Sequence, residues 1–175
     1  VAERAAAATG ERCVSITACM QAGELAFTPR DGEMVGIVSP VYFWGLPSSV
    51  NAFLERMEHS DGLIVGSPVY FAAPNGSLIA MLNRAFYAGN CFAHKPAAAV
   101  VSARRAGTTS ALNVLNEYFT ISQMPVVSSQ YWNMVHGSTP EEVRRDEEGL
   151  QIMRTLGRNM AYMIRAFALA RENGL

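Results

Sequence analysis

The chain contains 175 residues with a mass of 19.0 kDa, half of them hydrophobic, and carries a net charge of −1. These values predict one domain with a sizeable core and exclude a disordered tail or a coiled coil. The 14 basic and 15 acidic residues are scattered, so we expect no nucleic-acid partner and no membrane surface.

The apolar runs are too short for a membrane span, and residues 1–8 lack the layout of a signal peptide. The three cysteines form no CxxC motif, which argues against a disulfide framework and a metal site. We therefore expect a cytoplasmic protein with free, structural thiols.

Short apolar runs alternate with longer amphipathic segments along the chain. The runs are continuously apolar, which is typical of strands covered by helices on both faces. This order predicts an α/β fold with a parallel sheet. The predicted strands are residues 13–17, 35–38, 63–65, 97–101 and 125–127, and the predicted helices are residues 48–57, 75–87, 108–119 and 139–171.

An internal repeat connects two parts of the chain. The residues from Ser39 to Phe43, Ser-Pro-Val-Tyr-Phe, recur 28 residues later from Ser67 to Phe71, and the match continues into the next helix. Two copies are too few for a solenoid. We interpret residues 1–175 as a single domain with a duplicated strand–loop–helix unit, at about 37–57 and 65–85.

Ligands of open parallel sheets bind beyond the carboxyl ends of the strands, which here are followed by loops 39–47, 67–76 and 102–109. In the second loop, we expect the chain to leave the sheet at Pro68, because proline cannot continue a central ladder. Tyr70, Phe71 and the N–H groups after Asn75 would then suit a flat heteroaromatic ring. Alternatively, the two rings only close the top of the sheet.

The third loop combines Arg104 and Arg105 with Gly107 and Thr108 at a predicted helix start. Such an arrangement can bind an anion or the carbonyl oxygens of a ring. The alternative is a solvated loop with an ordinary threonine cap.

Residues 61–86, 95–109 and 130–137 resemble segments of the flavodoxin-like NAD(P)H-dependent FMN reductases. The resemblance implies a flavodoxin-like three-layer sandwich with a five-stranded parallel sheet, which binds FMN non-covalently and uses NAD(P)H as co-substrate. It also implies a small-molecule acceptor and a homodimer or homotetramer. The cofactor-binding residues that it implies are Ser67, Pro68, Val69, Tyr70, Phe71, Asn75, Gly76, Ser102, Arg104, Arg105, Gly107 and Thr108.

The first third of the chain departs from this family. Residues 13–57 resemble a different flavodoxin-like branch, which includes domains fused to ferredoxins, and the phosphate-binding loop of the reductases has no counterpart. We therefore expect a fold that is rearranged or truncated at its N-terminus. Ser48 and Ser49 are a candidate replacement for the phosphate site, and the alternative is a plain serine N-cap.

The leading hypothesis is an FMN-binding oxidoreductase that reduces a quinone, flavin or similar acceptor with NAD(P)H. The alternatives are an electron-transfer module without NAD(P)H activity, and a rearranged or engineered scaffold with weak or no flavin binding. Hydride transfer needs no protein nucleophile, so no catalytic residue is expected. We expect His59 and His94 at the surface, a structural Cys91, and His136 either in contact with the ligands or in a structural role.

Overall fold

A computed structural model describes residues 13–17, 34–38 and 46–174, with side chains from residue 50 onward. The first loop of the repeat, residues 39–45, lies outside the described residues. The elements are β1 Cys13–Thr17, β2 Met34–Val38, α1 Leu46–Glu58, β3 Leu63–Tyr70, β4 Ala73–Pro74, α2 Gly76–Ala88, β5 Ala97–Ala103, α3 Thr108–Ile121, β6 Met134–His136, α4 Pro140–Val143 and α5 Glu147–Glu172.

The strands β1, β2, β3, β5 and β6 lie side by side in this order, and each neighbouring pair is parallel. The short β4 pairs antiparallel with the end of β3. In the β2–β3 register, Val35 is opposite Leu63 and Ile37 is opposite Val65. This is the offset of the sequence repeat, so the two repeated strands are neighbours.

The helices form a layer on each face of the sheet. Helices α1, α2 and α3 pack on one face, where Phe53, Leu82 and Phe119 belong to the main core. Helix α5 covers the other face, where its Leu156 and Met160 pack against Ala98 of β5. The result is a three-layer α/β architecture. Within the described parts of the chain, no helix is both long and apolar enough to cross a membrane.

The strand predicted at residues 125–127 is reduced to one parallel bridge between Val126 and Ala97, and the full strand β6 forms later, beside Val101 and Ala103. At the bridge, the Ala97 N–H donates to the Pro125 carbonyl at 2.9 Å and the Val127 N–H donates to the Ala97 carbonyl at 2.7 Å. A three-residue strand at the edge of the sheet has little local signal, because its pairing depends on the end of β5, which is distant in the sequence.

The prediction that the chain leaves the sheet at Pro68 is wrong. β3 continues to Tyr70, and Pro68 lies opposite Ser102 of β5. The described pairing of β3 with β2 reaches Gly66. Pro68 has no N–H group to donate, yet β3 continues for two further residues beyond it.

The long C-terminal helix predicted from Thr139 is two helices. Thr139 caps α4, since its Oγ1 accepts a hydrogen bond from the Glu142 N–H at 3.2 Å, and the Glu142 carboxylate accepts one from the Ser138 N–H at 2.6 Å. The helical conformation is interrupted before Asp146, which is the N-cap of α5. The Asp146 Oδ1 accepts a hydrogen bond from the Gly149 N–H at 2.9 Å. The Asp146 side chain thereby binds a backbone N–H group that a continuous helix would use for its own hydrogen bonds.

Candidate functional site

β3 and β4 form a tight hairpin at the carboxyl edge of the sheet, with Tyr70 opposite Ala73. The two turn residues, Phe71 and Ala72, have φ angles of 51° and 60°. Such a turn favours Gly and Asn, so these residues store strain of about 1–3 kcal/mol each. Phe71 is fully exposed and Tyr70 is 45% exposed. The alternative that both rings only close the top of the sheet is therefore wrong.

Two buried polar residues hold the base of the hairpin. The Ser67 hydroxyl accepts a hydrogen bond from the Asn75 N–H at 2.8 Å and donates one to the Pro68 carbonyl at 2.8 Å. The Asn75 side chain accepts hydrogen bonds from the N–H groups of Ser77 and Leu78, at 3.0 and 3.1 Å, and so caps α2. These two N–H groups are therefore not free for a ligand, contrary to the sequence-based expectation.

The loop after β5 lies directly against the hairpin. Gly107 has a φ of 85°, and a Cβ atom there would lie 2.8 Å from the Cα of Ala72 and 3.2 Å from the Cγ1 of Val69. Only glycine combines this backbone conformation with so close an approach. The structure thus brings together the two loops that the sequence singled out.

The loop after β5 is electropositive. Arg104 and Arg105 are exposed, and Thr108, the first residue of α3, is buried. Gly107 is the N-cap of α3 and makes no side-chain capping bond, whereas Asn75 caps α2. The partial positive charge of the α3 N-terminus thus adds to two guanidinium groups, an arrangement that suits an anionic or electron-rich ligand.

Ser102 is not part of this arrangement. Along β5, Ala99 and Val101 face the core under α1, α2 and α3, whereas Ala98 faces α5. By strand alternation Ser102 points to the α5 side, and Ser67, in phase with Val65, points to the opposite side. Ser102 lines a separate cleft with residues of α4 and α5.

The first turn of α1 contains Ser48 and Ser49, two and three residues after its first residue, Leu46. Neither serine occupies the N-cap, so both sequence interpretations, a capping phosphate site and a plain serine N-cap, place the helix start too late.

Asp146 is a structural residue that the sequence reasoning missed. Its Oδ2 accepts a hydrogen bond from the His136 N–H at 2.7 Å, and the same oxygen lies 3.9 Å from His136 Nδ1. The available signal was an aspartate before two glutamates and Gly149, which is typical of a helix start. His136 is half-buried in this contact. His59 and His94 are exposed, so their predicted surface positions are confirmed.

Cys91 and Lys95 lie at the opposite edge of the sheet from the hairpin. Burial raises the pKa of the half-buried Cys91 thiol, which supports its structural interpretation, because redox thiols have a lowered pKa. The Lys95 ammonium donates hydrogen bonds to the carbonyls of Met57 and Glu58 at the end of α1. Burial lowers the pKa of Lys95.

The chain is similar in sequence to known proteins. Residues 45–139 match the family model of the NADPH-dependent FMN reductases. An iron–sulfur flavoprotein from Methanocaldococcus jannaschii is 29% identical over 125 residues, which cover 66% of this chain and 65% of that protein. The chain therefore spans about two thirds of the length of this curated relative.

Solved structures share the fold at low sequence identity. FerB, a flavoenzyme NAD(P)H:(acceptor) oxidoreductase from Paracoccus denitrificans, is 19% identical with a TM-score of 0.57, covering 75% of this chain and 81% of FerB. RosB, solved with bound 8-demethyl-8-formylriboflavin-5'-phosphate, is 12% identical with a TM-score of 0.58, covering 82% of this chain and 75% of RosB. A flavodoxin, WrbA-like protein from Agrobacterium tumefaciens is 15% identical with a TM-score of 0.54, covering 63% of this chain and 70% of that one. The predicted flavodoxin-like α/β fold is confirmed.

Proposed function

Because the chain belongs to the NADPH-dependent FMN reductase family, we propose that it is an oxidoreductase that binds FMN and reduces a small acceptor, such as a quinone or flavin, with NAD(P)H. The flavin ring would lie between the β3–β4 hairpin and the loop after β5. The observation that carries this proposal is the close contact of Gly107 with Ala72, which joins an exposed aromatic turn to an electropositive loop.

The residues of this edge fit FMN, a flat heteroaromatic ring with an anionic tail. Tyr70 and Phe71 present exposed rings for stacking. A Cβ atom at Gly76 would meet no atom of the described residues within 4 Å, which leaves room for a ring beside the start of α2. Arg104 and Arg105 supply positive charge. We place the phosphate near the N-terminus of α1, which follows β2, the neighbour of β3.

Bound FMN supplies the hydride chemistry. The protein binds and orients the ring: Phe71 and Tyr70 offer stacking surfaces, and the Ser67–Asn75 hydrogen bond fixes the hairpin that carries them. Arg104 and Arg105 favour a negatively charged ligand over a neutral one. This division of work requires no nucleophilic side chain.

The first experiment titrates the flavin-free protein with FMN and follows the quenching of flavin fluorescence. Replacing Phe71 with Ala removes one stacking surface and should raise the Kd for FMN about two- to twelvefold, since aromatic stacking contributes about 0.5–1.5 kcal/mol. The matched control is Tyr162→Ala on α5, which removes another exposed ring, 72% exposed. Absence of saturable FMN binding, or an equal loss in both variants, would refute the proposed site.

The likeness to an iron–sulfur flavoprotein favours a second candidate, an electron-transfer flavoprotein without NAD(P)H activity. Anaerobic mixing of the FMN-loaded protein with NADPH or NADH separates the two. Rapid bleaching of the flavin supports the reductase, whereas a flavin that only dithionite reduces supports the electron carrier.

We also propose that the chain assembles as a homodimer or homotetramer, as the family resemblance implies. Sedimentation velocity at several protein concentrations measures this directly. A monomer at every concentration would refute it.

A further inference from the structure

A cleft of about 540 Å³ lies beside the carboxyl ends of β5 and β6, on the face of the sheet that α5 covers. Ser102 and Gly137 form its base at the ends of the two strands. Its walls come from the loop after β6, from α4 and from the first turns of α5. The wall residues are Ser138, Thr139, Pro140, Val143, Arg144, Leu150, Met153 and Arg154.

The wall that α4 forms is held in place by backbone contacts. Gly137 donates a hydrogen bond to the Ala103 carbonyl at 3.0 Å, which ties the loop after β6 to the end of β5. A Cβ atom at Gly137 would lie 2.5 Å from the Val143 nitrogen, so glycine permits α4 to close over the strand end. The Thr139–Glu142 cap fixes the turn between them. The cleft is therefore largely formed before any ligand arrives.

The chemistry of the lining is mixed in a way that favours one class of ligand. Val143, Leu150 and Met153 provide apolar surface, while Arg144 and Arg154 provide two cations. None of the described residues that line the cleft is acidic. Arg144 forms an ion pair with the neighbouring Glu141 at 3.1 Å, and Arg154 donates from Nε to the Gln151 side chain at 2.8 Å. A guanidinium group has five N–H donors, so each retains donors for a ligand.

Strand alternation separates this cleft from the flavin loops. The hairpin anchor Ser67 and the cleft residue Ser102 point to opposite faces of the sheet. The two sites are nevertheless neighbours, because the loop that carries Arg104 follows directly on β5. A ligand in the cleft would lie next to the flavin loops without occupying them.

We propose that this cleft is a second ligand site, which binds a small organic anion with an apolar body, either a carboxylate or a phosphate ester. Binding to the cleft itself requires no flavin.

The test compares two fluorescent probes that differ by one anionic group. 8-Anilinonaphthalene-1-sulfonate is the anion, and N-phenyl-1-naphthylamine is the same apolar body without the sulfonate. The wild-type protein should bind the anion more tightly. In the double variant Arg144→Gln/Arg154→Gln, the Kd of the anionic probe should rise about tenfold, which is the low end of the effect expected for charge-assisted hydrogen bonds at exposed groups. The Kd of the neutral probe should stay within about twofold of the wild-type value.

The matched control is Arg158→Gln, which removes an exposed cation from the same helix outside the cleft lining. It should leave both Kd values unchanged. Benzoate and phenyl phosphate then compete with the anionic probe: displacement by the first identifies a carboxylate ligand, and displacement by the second a phosphate ester. If neither competes, or if the control loses as much affinity as the double variant, the proposal is wrong.

Addition of FMN separates this proposal from the proposed function. If FMN displaces the anionic probe competitively, the cleft belongs to the flavin site and the second site is refuted. If FMN fails to bind at all, the proposed function fails, but the probe measurements still decide whether the cleft binds anions. Simultaneous binding of FMN and the probe supports both.

Discussion

Replacing Asp146 with Ala would test how the edge strand β6 is attached to helix α5. The carboxylate accepts two hydrogen bonds, from the His136 N–H on β6 and from the Gly149 N–H in α5, at 2.7 and 2.9 Å. Its side chain is 18% exposed. A Cβ atom at Gly149 would lie 2.3 Å from the carboxylate oxygen, so the carboxylate fills the space beside the helix that a side chain would otherwise take.

The expected loss of stability is the sum of two effects. Removing an N-cap side chain costs about 1 kcal/mol, and leaving the partly buried His136 N–H without its acceptor costs about 1–3 kcal/mol. The Asp146→Ala variant should therefore lose about 2–4 kcal/mol of unfolding free energy, or roughly 5–15 °C in Tm for a chain of this size. Asp146→Asn keeps one acceptor and should lose about half as much.

Urea unfolding followed by circular dichroism measures these differences. Thr139→Ala is the matched control, because it removes the exposed cap of α4 and should cost at most about 1 kcal/mol. An Asp146→Ala variant within about 0.5 kcal/mol of the wild type would refute the reasoning. So would a Thr139→Ala variant that is equally destabilised, since the strand contact would then add nothing.

Three further predictions follow from the described contacts. Gly107→Ala should lose about 2–4 kcal/mol of unfolding free energy in urea, through left-handed backbone strain and the clash with Ala72. The control Gly76→Ala meets no clash among the described residues and should be neutral or slightly stabilising. Equal losses in the two variants would contradict this. Because burial raises its pKa, Cys91 should react more slowly with iodoacetamide at neutral pH in the folded protein than in urea; mass spectrometry of its peptide measures both rates, and equal rates would exclude the effect. Burial lowers the pKa of Lys95 from its ordinary value of 10.5, so below pH 10.5 the unfolded chain binds the proton more readily than the folded chain. The stability of the wild type relative to Lys95→Met, measured in urea titrations, should therefore rise with pH towards 10.5. A difference in stability that stays flat or falls with pH would show that the sign is wrong.

Much of the fold was predictable because its signals are local. Thr139, where the sequence starts its last helix, is a cap in the structure, since a cap is decided by a side chain and N–H groups two or three residues away. The positions of β1, β3 and β5 follow from continuous apolar runs. The two loops proposed to bind the flavin were predicted for a similar reason, because they follow strands at the edge where parallel sheets bind ligands.

Other features depend on partners that are distant in the sequence. The left-handed turn at Phe71 and Ala72 has no sequence signal, because the antiparallel pairing of Tyr70 with Ala73 imposes it. The break at Asp146 is favoured by its contact with His136, ten residues earlier on another element. A helix pattern that reads through both segments cannot reveal that contact.

The sequence by itself determined an α/β chain, because apolar periodicity and turn residues act over short distances. Its resemblance to the FMN reductases predicted the family and implied ligand loops after β3 and β5. Only the tertiary structure decided how these loops are arranged. It seats Gly107 against Ala72, turns Phe71 outward, and assigns Ser102 to a cleft on the opposite face from Ser67. The physical reason is that the register and the alternating faces of paired strands are set by the whole sheet and the helices packed on it.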